Sequence, residues 1–348
     1  MNKSIPVTPP SCDEVPPGTL TVEQALAQIE KLITPIDETI TLPLTDALQH
    51  VLAESVTSPI NVPPHRNSAM DGYAVSGSDL AESDKVELKI IGTAFAGNPY
   101  QGHVGQGECI RIMTGAQVPE GADTVIMQEH VERRDNTLIV GPGHCSGQNV
   151  RHPGEDIAKG DVVLQPGSLL RAAELGLLAS LGIPSVTVKR KLKVAFFSTG
   201  DELRPVGEAL AEGQIYDSNR YTIYGMLKGL GVDIIDLGVI ADDPQAVENA
   251  FNEAAEQADA VITSGGVSVG DADYVKQTLD KLGQVDFWKI AMKPGKPLAF
   301  GKIKQAIFFG LPGNPVSVMA TYYQFALPAL RRLMGQKQLT PVIIKLPC

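Results

Sequence analysis

Apolar residues recur at helical spacing near the start of the chain. In LTVEQALAQIEKLI, Val22, Leu26 and Ile29 fall on one face of a helix, because their positions follow the helical period. Thr21 is followed by Gln24 three positions later, which is typical of a capping box. The pattern predicts an amphipathic helix whose apolar face needs a packing partner.

The pattern changes between about residues 56 and 155. Helical spacing fades, and short alternating runs such as VELKI and TLIV stand between stretches rich in Gly and Pro. Such alternation is typical of short strands. The runs are too few for a full β-sandwich, so we expect a small inserted β domain.

A second helical run, RAAELGLLASLGI, follows the β region, and Gly182 can end it. We interpret this run as the return of the domain that the first helix began. The predicted division is a discontinuous helical linker domain (1–55 and 156–190), an inserted β domain (56–155), an α/β domain (191–337) and, at 338–348, the start of a truncated C-terminal β domain.

Strands and helices alternate from Leu192 onward. LKVAFFS, DIIDLGVI and ADAVITS are predicted strands, and NRYTIYGMLKGLG and DPQAVENAFNEAAEQ are predicted helices between them. This alternation predicts a doubly wound sheet of parallel strands. Ligands of such sheets bind at the carboxyl ends of the strands.

Polar residues follow four of the predicted strands. In chain order they are Asp201 and Glu202, then Asp242 and Asp243, then Ser264, Gly265, Gly266, Asp271 and Asp273, and finally Lys289, Lys293 and Lys296. If the sheet is parallel, these loops meet at one edge and place acidic groups opposite lysines across glycine-lined backbone. Glycines let phosphate oxygens approach backbone N–H groups, lysines neutralise phosphate, and carboxylates bind Mg²⁺.

Each of these features also has an ordinary explanation. A Gly-Gly pair or KPGK forms turns, and Asp243 before Pro244 is a typical helix cap, which leaves Asp242 as the better site candidate. Their shared position at strand ends nevertheless favours a site for a phosphorylated ligand and a divalent cation.

Three polar clusters lie in the β region. NSAMDGYAV contains Ser68 and Asp71, IRIMTGA contains Thr114, and RHPGEDI contains Asp156. From the residues alone, turn formation is the favoured interpretation, because Asp-Gly and Pro-Gly pairs are common in turns. Met319 is expected to pack in a core.

Composition narrows the function classes. A net charge of −11 over 348 residues disfavours a nucleic-acid-binding surface, although it permits a local basic pocket. The four cysteines form no CxxC pair, which fits a reducing compartment. We find neither a signal peptide nor a membrane-spanning stretch. We therefore expect a cytoplasmic protein that binds neither nucleic acid nor membrane.

Eight motifs resemble, in order, those of the molybdopterin molybdenumtransferase family, which includes bacterial MoeA and the C-terminal domain of gephyrin. They are NSAMDGYA, RIMTGA, VRHPGEDI, STGDEL, YDSNR, TSGGVSVGDADY, KPGKP and LPGNPVS. The resemblance extends from about residue 18 to residue 337. It implies an α/β multidomain fold, in which a helical linker domain with an inserted β domain precedes a molybdopterin-binding α/β domain, and it implies a homodimer.

The resemblance also implies an activity in molybdenum cofactor biosynthesis. The enzyme would take adenylylated molybdopterin and molybdate, cleave the adenylate phosphoanhydride with the assistance of Mg²⁺, insert molybdenum and release AMP. The implied catalytic residues are Asp71, Thr114, Asp156, Glu202, Asp242 and Asp273, of which Glu202, Asp242 and Asp273 would bind Mg²⁺. The expected substrate-binding residues are Ser264, Gly265, Gly266, Lys289, Lys293, Lys296 and Ser317.

The family's C-terminal domain supplies an arginine and a serine to the molybdate pocket. We expect most of that domain to be missing from this chain, with impaired handling of molybdate. Two alternatives stay open, namely a molybdopterin adenylyltransferase and a pterin-binding scaffold without activity. Formation of the adenylate from MgATP and molybdopterin would favour the first.

Overall fold

The computed structural model describes residues 18–81, 83–265, 274–337 and 339. The chain divides into two compact units. The second unit comprises Ser55–Gln165 with Ser180–Gly182, and the first comprises the segments on either side of these. No helix in the described ranges is long and apolar enough to cross a membrane.

The elements up to residue 189 are mainly strands. They are α1 (Val22–Leu32), β1 (Thr39–Pro43), β2 (Val56–Thr57), β3 (Asn67–Ser68), β4 (Gly72–Val75), β5 (Val86–Ala94), β6 (Glu108–Ile112), β7 (Thr124–Met127), β8 (Val131–Arg134), β9 (Thr137–Val140), β10 (Val150–Arg151), β11 (Val162–Leu164), α2 (Ala172–Ser180) and β12 (Ser185–Lys189).

Strands and helices then alternate. The elements are β13 (Lys193–Thr199), β14 (Leu203–Arg204), β15 (Ile215–Tyr216), α3 (Ser218–Leu230), β16 (Asp233–Ile240), α4 (Pro244–Gln257), β17 (Ala260–Ser264), α5 (Tyr274–Leu282), β18 (Gly283–Lys289), β19 (Pro297–Ile303), β20 (Ala306–Leu311), α6 (Pro315–Thr321), a π-helical segment (Tyr322–Ala326) and α7 (Leu327–Leu333).

The second unit contains a six-stranded sheet in the order β7-β4-β6-β5-β9-β8. Its predicted strands VELKI and TLIV pair directly, as parts of β5 and β9. The interior strand β4 is buried on both faces, because Ala74 packs into one apolar cluster while Tyr73 and Val75 pack into another. The strands β3 and β10 form a separate antiparallel pair.

The first unit contains a six-stranded sheet in the order β16-β13-β17-β20-β19-β18. The strands β16, β13, β17 and β20 are parallel, but β19 runs antiparallel to both of its neighbours. The predicted parallel arrangement therefore holds for these four strands, and β19 departs from it. The connections 290–296 and 304–305 are short enough for hairpins, whereas a parallel crossover needs a dozen residues or more.

Helices cover both faces of this sheet. Residues of α1, α3, α6 and α7 pack with one face, while α4 and α5 pack against the other. The capping box of α1 is confirmed, since the Gln24 N–H donates to Thr21 Oγ1 at 3.2 Å and the Thr21 N–H donates to Gln24 Oε1 at 2.9 Å. The apolar face of α1 finds its partner in the sheet core, where Ala25 and Ile29 are buried.

The antiparallel pair of β1 and β12 belongs to the first unit. Most of the predicted linker segments thus lie in the same compact unit as the α/β elements, while residues 55, 156–165 and 180–182 lie in the second unit. The division into a separate linker domain stays a prediction.

Candidate functional site

The predicted polar loops of the first unit lie at one edge of its sheet. Thr199, Ile240 and Ser264 end the parallel strands β13, β16 and β17. Because the direction reverses at β19 and again at β18, β18 runs the same way as these three strands. Its last residue, Lys289, therefore lies at the same edge.

Acidic residues occupy one end of this edge. The Asp242 N–H donates to Asp201 Oδ1 at 3.2 Å. Partial burial, followed by the negative charges of Asp201 and Glu202, raises the pKa of Asp242 above its ordinary value. Asp243 serves as the helix cap, as predicted, because it accepts a hydrogen bond from the Ala246 N–H at 2.9 Å.

The middle of the edge carries a buried hydroxyl and bare backbone. Ser264 is buried at the end of β17. Gly265 follows with φ of +91°, and a Cβ added there would lie 2.8 Å from the Thr199 carbonyl oxygen. Only glycine suits this position. Gly266 and Asp273, also predicted as site residues, lie outside the described residues.

Lysines occupy the other end of the edge. Lys289 ends β18, and Lys293 and Lys296 lie in the hairpin that leads to β19. All three are exposed, and none pairs with a carboxylate among the described residues.

The lysine hairpin packs against α6. Gly295, with φ of +102°, is buried between the two lysines, and a Cβ there would lie 2.4 Å from Met292 Cε and 2.9 Å from Thr321 Cγ2. The same position lies 3.9 Å from the carbonyl oxygen of Ser317. The structure thus brings the backbone of Ser317 close to the hairpin that carries the predicted lysines.

The acidic and basic ends are far apart. Asp242 follows β16 at one side of the sheet, and Lys289 ends β18 at the other side. Six adjacent strands at the usual spacing separate these positions by about 24 Å. Ser264 and Gly265 lie between them, so an elongated ligand is needed to reach both ends.

The described residues contain no cluster of three His, Cys, Asp or Glu side chains suited to a metal ion. The predicted Mg²⁺ ligands Glu202 and Asp242 lie close enough for their charges to interact, whereas Asp273 lies outside the described residues. Oxygen donors of this kind fit a hard cation such as Mg²⁺.

Three clusters of the second unit come together although they are distant in sequence. Asp71 Oδ1 accepts hydrogen bonds from the Thr114 N–H at 2.7 Å and from Thr114 Oγ1 at 2.6 Å. The Gly115 N–H donates to the Ser68 carbonyl at 2.8 Å. Val150 pairs with Ser68 in the β3–β10 ladder. Turn formation alone is therefore an incomplete interpretation of these motifs.

Hydrogen bonds and ion pairs hold the carboxylates of this second cluster. The side-chain hydrogen bond from Thr114, followed by the backbone one, lowers the pKa of Asp71 below its ordinary value. Asp156 forms an ion pair with Arg151, which also lies 3.8 Å from Glu155 Oε1. Both predicted carboxylates therefore have a specific hydrogen-bonding partner.

Two residues near these sites were missed by sequence reasoning. Asn219 Nδ2 donates to Ser264 Oγ at 2.8 Å and to the Gly313 carbonyl at 2.7 Å. Arg111 donates to the Gly72 carbonyl at 3.0 Å and stacks 5.1 Å above the Tyr73 ring. Asn219 lies in the motif YDSNR and Arg111 lies in RIMTGA. Their positions in these motifs could have identified them as candidate site residues.

Family models and sequence relatives of this chain point to the same protein family. Residues 20–182 match the family described as MoeA N-terminal region (domain I and II), and residues 195–332 match a probable molybdopterin binding domain. A molybdopterin molybdenumtransferase from Haemophilus influenzae is 51% identical over 320 residues, which cover 92% of this chain and 79% of that protein. A protein of the same name from Nostoc is 39% identical over 303 residues, which cover 85% and 70%.

Solved structures agree with the sequence relatives. The crystal structure of a molybdopterin biosynthesis MoeA protein from Pyrococcus horikoshii superposes with a TM-score of 0.76 at 31% identity. The match covers 92% of this chain and 81% of that one. A mixed α/β multidomain fold is thus shared.

Proposed function

Because the chain belongs to the molybdopterin molybdenumtransferase family, we propose that it inserts molybdate into adenylylated molybdopterin and releases AMP. This assigns the protein to molybdenum cofactor biosynthesis. The observation that carries the proposal is the edge of the α/β sheet, where carboxylates, bare backbone and exposed lysines follow one another.

The length of this edge supports an elongated, doubly anionic substrate. A pterin joined to AMP through a phosphoanhydride has phosphate near its middle and a separate group at each end. We assign Ser264 and Gly265 to the middle of the substrate. The lysines Lys289, Lys293 and Lys296, with Ser317 beside them, would bind anionic oxygen at one end.

The acidic end is the proposed place for Mg²⁺. Glu202 and Asp242 would hold it, with Asp273 as the third predicted ligand. Bound there, Mg²⁺ supplies positive charge that neutralises phosphate oxygens. The raised pKa of Asp242 supports this assignment, because carboxylates that repel one another gain from a shared cation.

The second cluster would contribute further catalytic groups. Thr114 donates two hydrogen bonds to Asp71, which lower the pKa of that carboxyl, and Arg151 forms an ion pair with Asp156. Two fixed carboxylates can accept protons or orient polar groups of a substrate. We assign catalytic roles to Asp71, Thr114 and Asp156 on this basis.

A homodimer is the proposed assembly. The neighbouring helices α3 and α6, together with the segment that follows α6, expose apolar side chains, namely Tyr221, Tyr224, Val316, Met319 and Tyr323. The expectation that Met319 packs in a core is wrong, since it is 44% exposed. A surface of this kind is suited to burial in an interface. Because the family resemblance implies a homodimer, we propose that a second copy of this chain covers it.

The finer domain division stays part of the proposal. The linker domain, the inserted β domain and the α/β domain would fold as three parts, with a cytoplasmic location for the whole. Limited proteolysis followed by mass spectrometry tests the division. Cleavage confined to the neighbourhood of residues 55 and 156 would agree with the predicted boundaries.

The activity is tested with adenylylated molybdopterin, molybdate and Mg²⁺. The assay has two readouts. Chromatography measures the AMP released, and the second readout is the amount of molybdenum bound to the pterin. Omission of molybdate or addition of EDTA serves as a control. Separate incubation with MgATP and molybdopterin tests the adenylyltransferase alternative, and formation of the adenylate there without molybdenum insertion in the main assay would contradict the proposal.

A further inference from the structure

Asn219 is held in the first turn of α3 at the carboxyl edge of the sheet. Asp217 is buried and caps this helix by accepting a hydrogen bond from the Arg220 N–H at 3.0 Å. The Asp217 N–H donates to the Arg204 carbonyl at 3.2 Å. The start of α3 is therefore fixed to β14, the short strand that follows the acidic loop.

The hydrogen bonds of Asn219 determine the orientation of its amide. The Gly313 carbonyl oxygen can only accept a hydrogen bond, so the atom 2.7 Å away must be the amide nitrogen. This nitrogen carries two hydrogens. One points to Gly313, and the other points to Ser264 Oγ at 2.8 Å.

The same contact determines the direction of the Ser264 hydroxyl group. Because Asn219 donates to Ser264 Oγ, that oxygen accepts, and the hydroxyl hydrogen remains to be donated elsewhere. Among the described residues, Ser264 Oγ has no acceptor within hydrogen-bond distance. Because Ser264 Oγ accepts from Asn219 on one side, its hydroxyl hydrogen points away from Asn219 and can be donated to another group.

A second buried hydroxyl lies beside this pair. Ser198 is the register partner of Ser264 in the β13–β17 ladder, so both side chains project from the same face of the sheet. Ser198 Oγ and Asn219 Oδ1 are buried, and neither has a partner among the described residues. Buried polar atoms are usually paired, and exceptions call for a ligand or another specific explanation.

We infer that Asn219 is a positioning residue, which directs the Ser264 hydroxyl toward an anionic phosphate oxygen of the substrate. Its two hydrogen bonds together also join the end of β17 to the loop before α6. The inference rests on the proposed function for the identity of the substrate. It adds to that function a residue that acts through Ser264 rather than on the substrate directly.

The test measures the affinity for adenylylated molybdopterin by calorimetry in the wild-type chain and in Asn219→Ala, Ser264→Ala and the double variant. Each single change is expected to weaken binding about tenfold, as for the loss of a hydrogen bond to a charged group. The double variant is expected to bind within about twofold of Ser264→Ala, because Asn219 acts through that hydroxyl. Asn249→Ala, at an exposed position of α4, is the matched control.

Several outcomes would overturn the inference. If the two single effects multiply in the double variant, Asn219 acts independently of Ser264. If Ser264→Ala binds the substrate as tightly as the wild type, binding does not need the Ser264 hydroxyl and the inference is wrong. This outcome is decisive even if the Asn219 variants do not fold. A purely structural role would lower the melting temperature and the number of binding sites but leave the dissociation constant unchanged.

The same measurements separate this inference from the proposed function. A wild-type chain that neither binds adenylylated molybdopterin nor releases AMP from it contradicts both. If the wild-type chain binds and turns over the substrate, and the variants bind it with the same affinity as the wild type, the result contradicts only the role of Asn219. Asn219→Asp keeps the side-chain shape but removes both donors, and it serves as the second variant if Asn219→Ala does not fold.

Discussion

Asp71 and Asp242 are carboxyl groups whose neighbours shift their pKa values in opposite directions. Hydrogen bonds from Thr114 stabilise the ionised form of Asp71. Partial burial and two nearby negative charges disfavour the ionised form of Asp242. Each residue therefore has its own pH dependence, which follows from linkage between protonation and folding.

Thr114→Val should raise the pKa of Asp71 toward its ordinary value of 3.8, because the variant loses the hydroxyl donor but keeps the backbone one. In the wild type, the lowered pKa contributes stability above pH 3.8 that is lost as the pH falls through the folded-state pKa. In the variant the folded-state pKa lies closer to 3.8, so this loss should be smaller and should be complete at a higher pH. A carbon-13 NMR titration of Asp71 measures the shift, Thr137→Val is the control, and an unchanged pKa would contradict the assignment.

Asp242→Asn should stabilise the chain at pH 7 in the absence of Mg²⁺. Since the folded state raises the pKa of Asp242, stability in the wild type decreases as the pH rises from 3.8 through the folded-state pKa. The variant lacks this loss, so its melting temperature should be higher than that of the wild type at pH 7 and equal to it at low pH.

The same variant should release AMP at least about tenfold more slowly. Asp243→Asn is the matched control, because asparagine also caps helices and the change removes a neighbouring charge. A melting temperature that falls equally in both variants would show that the charge of Asp242 is not repelled.

At the scale of elements, the hairpin between β18 and β19 determines where the lysines lie. Its backbone bonds include the Ile290 N–H to the Lys296 carbonyl at 2.7 Å, and Gly295 packs against Thr321. The side chains of Lys293 and Lys296 are exposed, so their positions depend on this backbone. The turn residue is therefore as important for the basic end as the lysines themselves.

Gly295→Ala should destabilise the chain by about 1–3 kcal/mol and weaken substrate binding. Alanine is strained at φ of +102°, and its Cβ would meet Met292 and Thr321. Gly207→Ala is the matched control, because Gly207 has φ of +101° but nothing within 4 Å of an added Cβ. Chemical denaturation and calorimetry measure the two effects. If both variants lose the same stability and the same substrate affinity, close packing at the hairpin is unimportant.

At the scale of the whole molecule, the charge distribution and the apolar surface have separate roles. The net charge is −11, yet three exposed lysines lie together at one end of a sheet edge. The exposed apolar side chains of α3 and of the helical segment from α6 onward, by contrast, belong to the proposed contact between two copies of the chain.

Tyr323→Glu should convert the dimer to a monomer at micromolar concentration. Tyr323 is 54% exposed, and burial of an unpaired carboxylate in an apolar interface is unfavourable. Light scattering measures the mass of the particle. Phe95→Glu changes a residue of the second unit that is 51% exposed and should leave the dimer intact. A wild-type monomer, or equal masses for the two variants, would contradict the proposed surface.

Sequence alone determined the features that depend on neighbours along the chain. The capping box of α1 and the cap of α4 at Asp243 were predicted because the donor and acceptor lie three residues apart. The strand ends that carry Asp242 and Ser264 followed from the alternation of apolar and polar runs. Periodicity also indicates which face is buried, since each element repeats its side-chain directions regularly.

Tertiary structure alone decided which distant residues meet. Asp71 and Thr114 are 43 positions apart, and Asn219 and Ser264 are 45 apart, so no local pattern links either pair. The strand order also determines that about 24 Å separate the acidic and basic ends, and the two hairpins determine that β19 runs antiparallel to its neighbours. These features depend on which surfaces pack together in three dimensions, and a one-dimensional pattern of burial is compatible with several such arrangements.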